Sequence, residues 1–297
     1  MTKKEYNIKS ILVIIILILL LLPSLASSAT AEISKKRSAS STLSMIDSGW
    51  KQLANGLDLG VLKTKKKSIV GDSRIVILRI DPKLWDLEFA AASQDNGSKT
   101  ARQWCVEKNF IAAINAGMFN DNYSTHTGYF KMQNHINNGK TNGYQSIAAF
   151  HPSNPGLPQF RIFDMDSPDV SISRISKDYA SVVQNLRLIK RSGINKWGVQ
   201  PKKWSEAALG EDKHGNVLFI FSKAPFSMHD FNQELLGLGI DVITAQHLEG
   251  GPVAQFYLKI GKKELEIFGS YETGIKENDD NSGSWPIPNV LGIRPKK

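Results

Sequence analysis

The sequence predicts a mixed α/β fold of the α+β kind, with β-sheet layers and flanking helices. An opening series of β-type runs, a later mixture of strands with two helical segments, and polar turns at strand ends all point to it. Ser68-Ile69-Val70 and Arg74 to Ile80 read as strands joined by a Gly71-Asp72 turn, and Leu87 to Ala92 as a third. A short helix over Thr100 to Glu107 packs an apolar stripe ahead of the strand Ile111-Ala112-Ala113-Ile114. Gly128, Gly139 and Gly143 punctuate the next stretch, and Ser146 to Phe150 reads as a buried strand. Leu157 to Phe163 offers another strand, while Ser181 to Ile189 fits strand and helix equally. Val217 to Phe221 is strongly β-type and follows a polar turn at Asp212 to Asn216. Ser227 starts a helix with Met228, Phe231 and Leu235 on one face, and Asp230 stands where a capping box prefers Glu or Gln. Asp241 to Ala245 then leads through Gln246, His247 and Leu248 to Glu249, with a further strand from Val253 to Ile260.

The first segment is expected to lie outside the fold. Lys3, Lys4 and Lys9 precede an uninterrupted apolar stretch from Ile11 to Leu22, and small residues end at Ala29-Thr30-Ala31. This is the layout of a secretory signal cleaved after Ala31. The apolar stretch is short for a spanning helix, which needs about 20 residues. The expected location is therefore outside the cytoplasm, periplasmic or secreted, with a membrane contact only through an uncleaved segment. Residues 32 to 49 are rich in Ser, Lys and Arg and read as a disordered lead-in, followed by one domain over 50 to 297.

The formal charge of +9 falls to +7 once three lysines and one glutamate leave with the signal. A basic exported chain suits anionic envelope polymers or phosphorylated glycans, and no nucleic-acid module is present. The single cysteine, Cys105, excludes an intramolecular disulfide and reads as a buried structural thiol.

Two turns carry the chemistry. Asn115-Ala116-Gly117-Met118-Phe119 and Glu249-Gly250-Gly251-Pro252 each follow an apolar strand, which holds a polar side chain rigidly at an open end. Glycine after the polar residue permits a sharp turn or a close approach. His247, two residues before Glu249, points to the same side if strand alternation holds. Asn185 and Arg187 are polar members of an apolar run. Trp197 and Trp204 flank a lysine-bearing loop as sugar platforms or loop anchors.

These residues fall in a fixed order with Ala208-Leu209-Gly210, Lys213-His214-Gly215-Asn216, the strand Val217 to Phe221 and the closing Pro286 to Gly292. That order, over about residues 50 to 295, resembles the phosphodiester glycosidase family. The resemblance implies hydrolysis of a sugar-1-phosphodiester at the anomeric carbon, leaving a phosphomonoester on the acceptor. It implies Glu249 as base or electrostatic stabiliser, Asn115 as a contact to a sugar hydroxyl or phosphate oxygen, and the amides of Gly250 and Gly251 as donors to the same anion. His247, Asn185 and Arg187 complete the expected substrate contacts. Glu249 stands where the family commonly has aspartate, and Ser205 and Glu206 stand where it commonly has an arginine.

Other chemistries are not signalled. Six histidines occur without HExxH or Cys/His spacing, and His126, His135 and His151 are spread over loops, so no metal or other cofactor is expected and a divalent cation is left open. Gly237-Leu238-Gly239 lacks the dinucleotide context, and no Gly-x-Ser-x-Gly elbow is present. Three function classes stand: a hydrolase of phosphorylated glycans, a non-catalytic envelope or exopolysaccharide-binding protein on the same scaffold, and a membrane-anchored assembly factor for exopolysaccharide, to which an uncleaved N-terminal segment would point.

Overall fold

In the computed structural model, the described residues are 48–95 and 97–296, so the expected signal segment and nearly all of the lead-in lie outside them. Asp47–Lys297 forms one compact unit.

Three antiparallel sheets build it. The first has eight strands in the order β1 (Gly49–Ala54), β2 (Leu57–Lys63), β3 (Arg74–Ile80), β14 (Val217–Phe226), β13 (Trp204–Asp212), β15 (Val242–Gly250), β11 (Arg187–Lys190) and β12 (Ile194–Asn195). The second runs β7 (His135–Asn138), β6 (Phe130–Met132), β10 (Tyr179–Asn185), β8 (Ser146–Pro152) and β9 (Phe160–Asp164). The third runs β17 (Lys263–Phe268), β16 (Gln255–Ile260), β5 (Ala112–Asn115), β18 (Asn289–Pro295) and β4 (Trp85–Ala91). Strand outweighs helix, 47% to 13%, so the expected sheet layers are present but the α/β description holds only in part.

The helices among the described residues are short. They are α1 (Ala92–Asp95), α2 (Ala101–Lys108), α3 (Ile172–Asp178) and α4 (Met228–Gly237). Thr100 caps α2 in a reciprocal box, its hydroxyl accepting from Gln103 N at 3.2 Å while Gln103 Oε1 accepts from Thr100 N at 2.9 Å. Ser227 caps α4, but Asp230 does not close a box: its carboxylate accepts from Lys66 Nζ at 2.6 Å. Met228, Phe231 and Leu235 bury α4 against Ile77, Ala208, Ile220 and Ala245 of the first sheet. Cys105 is buried in α2, and burial pushes its thiol up, out of the range of a nucleophile.

Sequence and structure part in three places. Ser68-Ile69-Val70 is loop, with Ile69 54% exposed and Ser68 tied to Pro225 O, whereas β1 and β2 supply the opening hairpin. The expected strand at Leu157 begins only at Phe160. Ser181 to Ile189 resolves as β10 and β11, broken at Leu186, whose carbonyl accepts from His247 N at 2.8 Å.

Polar ties, one of them buried, join the sheets where apolar packing alone would leave register open. Glu211 on β13 accepts from Ile162 N on β9 at 2.8 Å and pairs with Arg191. His151 on β8 bridges Asp86 of β4 (3.1 Å) and Ser181 of β10 (3.0 Å), fastening the second sheet to the third.

Candidate active site

Strand β15 lies between β13 and β11, and its last residues carry the ionisable cluster. The pairing steps from Ala208↔His247 to Ala207↔Glu249, so Leu248 is an extra, bulged residue. A bulge at a strand end re-aims the flanking side chains. The next residues, Gly251–Val253, form a single 3-10 turn that leads into β16. Gly251 has φ +63°, and a Cβ there would run into the Glu272 carboxylate, so glycine is required on both counts.

Across the two strands, His247 Nδ1 donates to Glu206 Oε1 at 2.6 Å. The other oxygen, Oε2, accepts from Trp204 Nε1 at 2.6 Å. Both carboxylate oxygens are therefore fixed, and Glu206 is only 3% exposed. Trp204 covers Gly250, where a Cβ would come to 2.7 Å from its Cδ1. Burial works against the His247 imidazolium, but the charges of Glu206, then Glu249 and Glu272, together with the Glu206 hydrogen bond, raise it above its ordinary value.

Glu249 keeps some exposed surface, yet its carboxylate is enclosed. Burial pushes it up to about 7, opposed by the His247 charge and the Gly250 N–H and reinforced by Glu206 and Glu272. Glu272 is also raised, again mainly by burial, against the charges of His247 and Lys202. The raised Glu249 and Glu272 carboxyls and the raised His247 imidazole act on one another. A carboxyl poised near neutrality beside an imidazole that favours its charged form is suited to proton transfer.

The side chains of the other expected residues bond to neighbouring protein groups rather than to this cluster. Asn115, 1% exposed, accepts from Gln255 N at 2.6 Å and donates to Val253 O at 3.0 Å. It clamps the segment that follows Glu249 to the end of β5. Asn185 donates to Ala116 O at 3.0 Å and accepts from His126 Nε2 at 3.1 Å. Gly117 lies so close that a Cβ would strike both His126 and Asn185. The Gly250 amide donates to Glu249 Oε1 at 3.0 Å. Arg187 is matched by Asp164 (3.2 Å) and Asp166 (2.8 Å). In this structure the polar groups of Asn115, Asn185, Arg187 and the Gly250 amide are thus engaged with protein partners.

Cavities of about 470 and 430 Å3 lie elsewhere, beside Asp81 and Lys213 and beside Tyr179. Among the described residues, no group of three or more His, Cys, Asp or Glu is arranged to hold a metal ion.

The profile of the phosphodiester glycosidase family matches residues 108–294, a span that holds Asn115, His126, Asn185, Glu206, His247, Glu249 and Glu272. The chain belongs to the phosphodiester glycosidase family. In fold this family member is similar to the catalytic domain of zebrafish N-acetylglucosamine-1-phosphodiester alpha-N-acetylglucosaminidase, auto-inhibited by its pro-peptide. The TM-score is 0.59, with 13% identity over 84% of this chain and 87% of that one. A hypothetical protein from Synechocystis is similar with a TM-score of 0.55 and 13% identity, over 84% of this chain and 64% of that one. No curated protein matches in sequence.

In this family member, the residues around His247 and Asn185 that the sequence reading did not place at the site are Glu206, Glu272 and His126. Glu206 stood out only as a departure from the expected arginine. Its signal was an acid ahead of the apolar run Ala207-Ala208-Leu209, which calls for a buried partner. His126 is fully buried and neutral, its value lowered to about 4 mainly by burial. Its Nδ1 accepts from Gly128 N at 2.9 Å, which leaves the proton on Nε2 facing Asn185.

Proposed function

We propose that the protein is an exported hydrolase that cleaves a sugar-1-phosphodiester of a phosphorylated glycan or envelope polymer at the anomeric carbon. The observation that carries this reading is Glu249, an enclosed carboxylate poised near pH 7 at the end of β15, inside a chain of the phosphodiester glycosidase family.

In this reading ionised Glu249 takes a proton from water as the water oxygen attacks the anomeric carbon. The bond from that carbon to the phosphate oxygen breaks, the free sugar departs, and the phosphomonoester remains on the acceptor. Phosphate is a good leaving group, so little protonation is needed on that side. Stabilisation of an oxocarbenium-like centre falls to the negative charge of the cluster. Export rests on the layout of residues 1 to 31.

The test is release of reducing sugar from a panel of sugar-1-phosphodiesters, with Glu249→Gln as control. Release that disappears in the variant supports the hydrolase. Saturable binding without release moves the protein to the envelope-binding class.

A further inference from the structure

We propose that His247, held by Glu206, is the cation that receives the phosphate of the substrate, and that Glu206 is the positioning residue that keeps it charged and oriented. This rests on the reading of the cluster as a phosphodiester hydrolase site.

The site has a charge problem. Glu206, Glu249 and Glu272 act on one another, and a phosphodiester brings another negative charge to them. Some fixed positive charge must face the anion. Arg187 is already matched by Asp164 and Asp166, and the Gly250 amide is held by Glu249. Lys202 acts on Glu272 from an exposed loop. His247 remains, and its position fits. Nδ1 faces Glu206, while Nε2 makes no hydrogen bond among the described residues and is not one of the sealed polar atoms that lack a partner. A doubly protonated imidazole whose Nδ1–H is fixed presents its Nε2–H in one direction. That orientation is rigid on both sides. Glu206 is fixed in turn by Trp204 Nε1, and the His247 backbone N–H is anchored to Leu186 O.

Under the proposal the labour is divided between the two residues. Glu249 works at the sugar carbon and His247 at the phosphate. Groups facing His247 are Glu206 on β13, Glu249 on its own strand and Glu272 after β17, all acidic, with the Trp204 ring edge-on at 6.2 Å between centroids. Each of these carboxylates favours the imidazolium, and none supplies a competing cation.

Two measurements on the full chain test this. The first compares a sugar-1-phosphodiester with the p-nitrophenyl glycoside of the same sugar, whose leaving group carries no phosphate. His247→Gln is expected to raise KM about tenfold or more for the phosphodiester, the size of a lost charge-assisted hydrogen bond, with less than about a twofold change for the p-nitrophenyl glycoside. Glu206→Gln is expected to show the same split, and Glu206→Asp to recover part of it. Equal losses on both substrates, in variants of unchanged melting temperature, would overturn the proposal.

The second measurement titrates dimethyl phosphate, a phosphodiester without sugar, into ring-15N-histidine protein. His247 Nε2 is expected to shift saturably in the wild type and in Glu249→Gln, and not in Glu206→Gln. A wild-type resonance that stays still overturns the proposal even if sugar release is observed. A saturable shift without release of any sugar supports the anion site and refutes the hydrolase reading instead.

Discussion

His247 Nδ1 and Glu206 Oε1 stand 2.6 Å apart across neighbouring strands β15 and β13, both side chains almost wholly buried. The pair sets an imidazole that Glu206 biases towards its charged form next to Glu249, and the chemistry proposed for the cluster follows from that neighbourhood.

Glu249→Gln is expected to abolish sugar release while keeping the fold. The Gly250 N–H retains an acceptor in the glutamine oxygen. The pH dependence of stability distinguishes the two proteins. Glu249 is raised to about 7 from 4.5, so between those values the native state holds more protons than the unfolded chain. Wild-type stability therefore falls as pH rises through that window, and the variant escapes the loss. The melting temperature of the variant relative to wild type should be higher at pH 8 than at pH 4.5, read by thermal denaturation.

The rate profile should be bell-shaped. Activity rises near pH 7 as the carboxylate group ionises and falls where the His247 imidazolium is lost. Because His247 is raised, its stabilising contribution is full below 6.5 and disappears as pH climbs through its folded value. Glu206→Gln removes the main support of the imidazolium, so the alkaline limb of kcat/KM should move to lower pH.

Asn115→Ala should destabilise the protein by about 2–4 kcal/mol, because a buried N–H at Gln255 and a carbonyl at Val253 lose their partners. Urea denaturation measures it. Activity per folded molecule should fall as well, since Asn115 secures the segment behind Glu249.

His126 gives the opposite pH signature to Glu249. Its folded value of about 4 lies below 6.5, so the unfolded chain binds more protons between them. Stability from its burial is complete above 6.5 and is lost as pH falls through 4, an effect on the order of 3 kcal/mol. His126→Gln should flatten that acid limb in denaturation curves taken from pH 4 to 7.

The two strand ends were legible because their signal is local: an apolar strand, a polar residue, then glycine. The atoms those residues touch were not. Whether Asn115 faces a sugar or a backbone depends on where Val253 and Gln255 lie, which only the β5–β16 pairing decides. Glu206 could be seen as a buried acid, but its partner is set by register, and the bulge at Leu248 fixes that register. The Leu57–Lys63 strand was not read from the sequence, whereas Ser68-Ile69-Val70, read as a strand, had β-branched residues without a face to bury. Family order along the chain carried the family resemblance, whereas what each side chain touches is set by the tertiary fold.

The most direct test of the central claim is sugar release from a sugar-1-phosphodiester by the wild type and by Glu249→Gln, both shown to be folded. Turnover in the wild type, with a rising limb near pH 7 and none in the variant, is the predicted result. Undiminished turnover in Glu249→Gln would contradict it, because the carboxylate at the end of β15 would then have no part in the reaction.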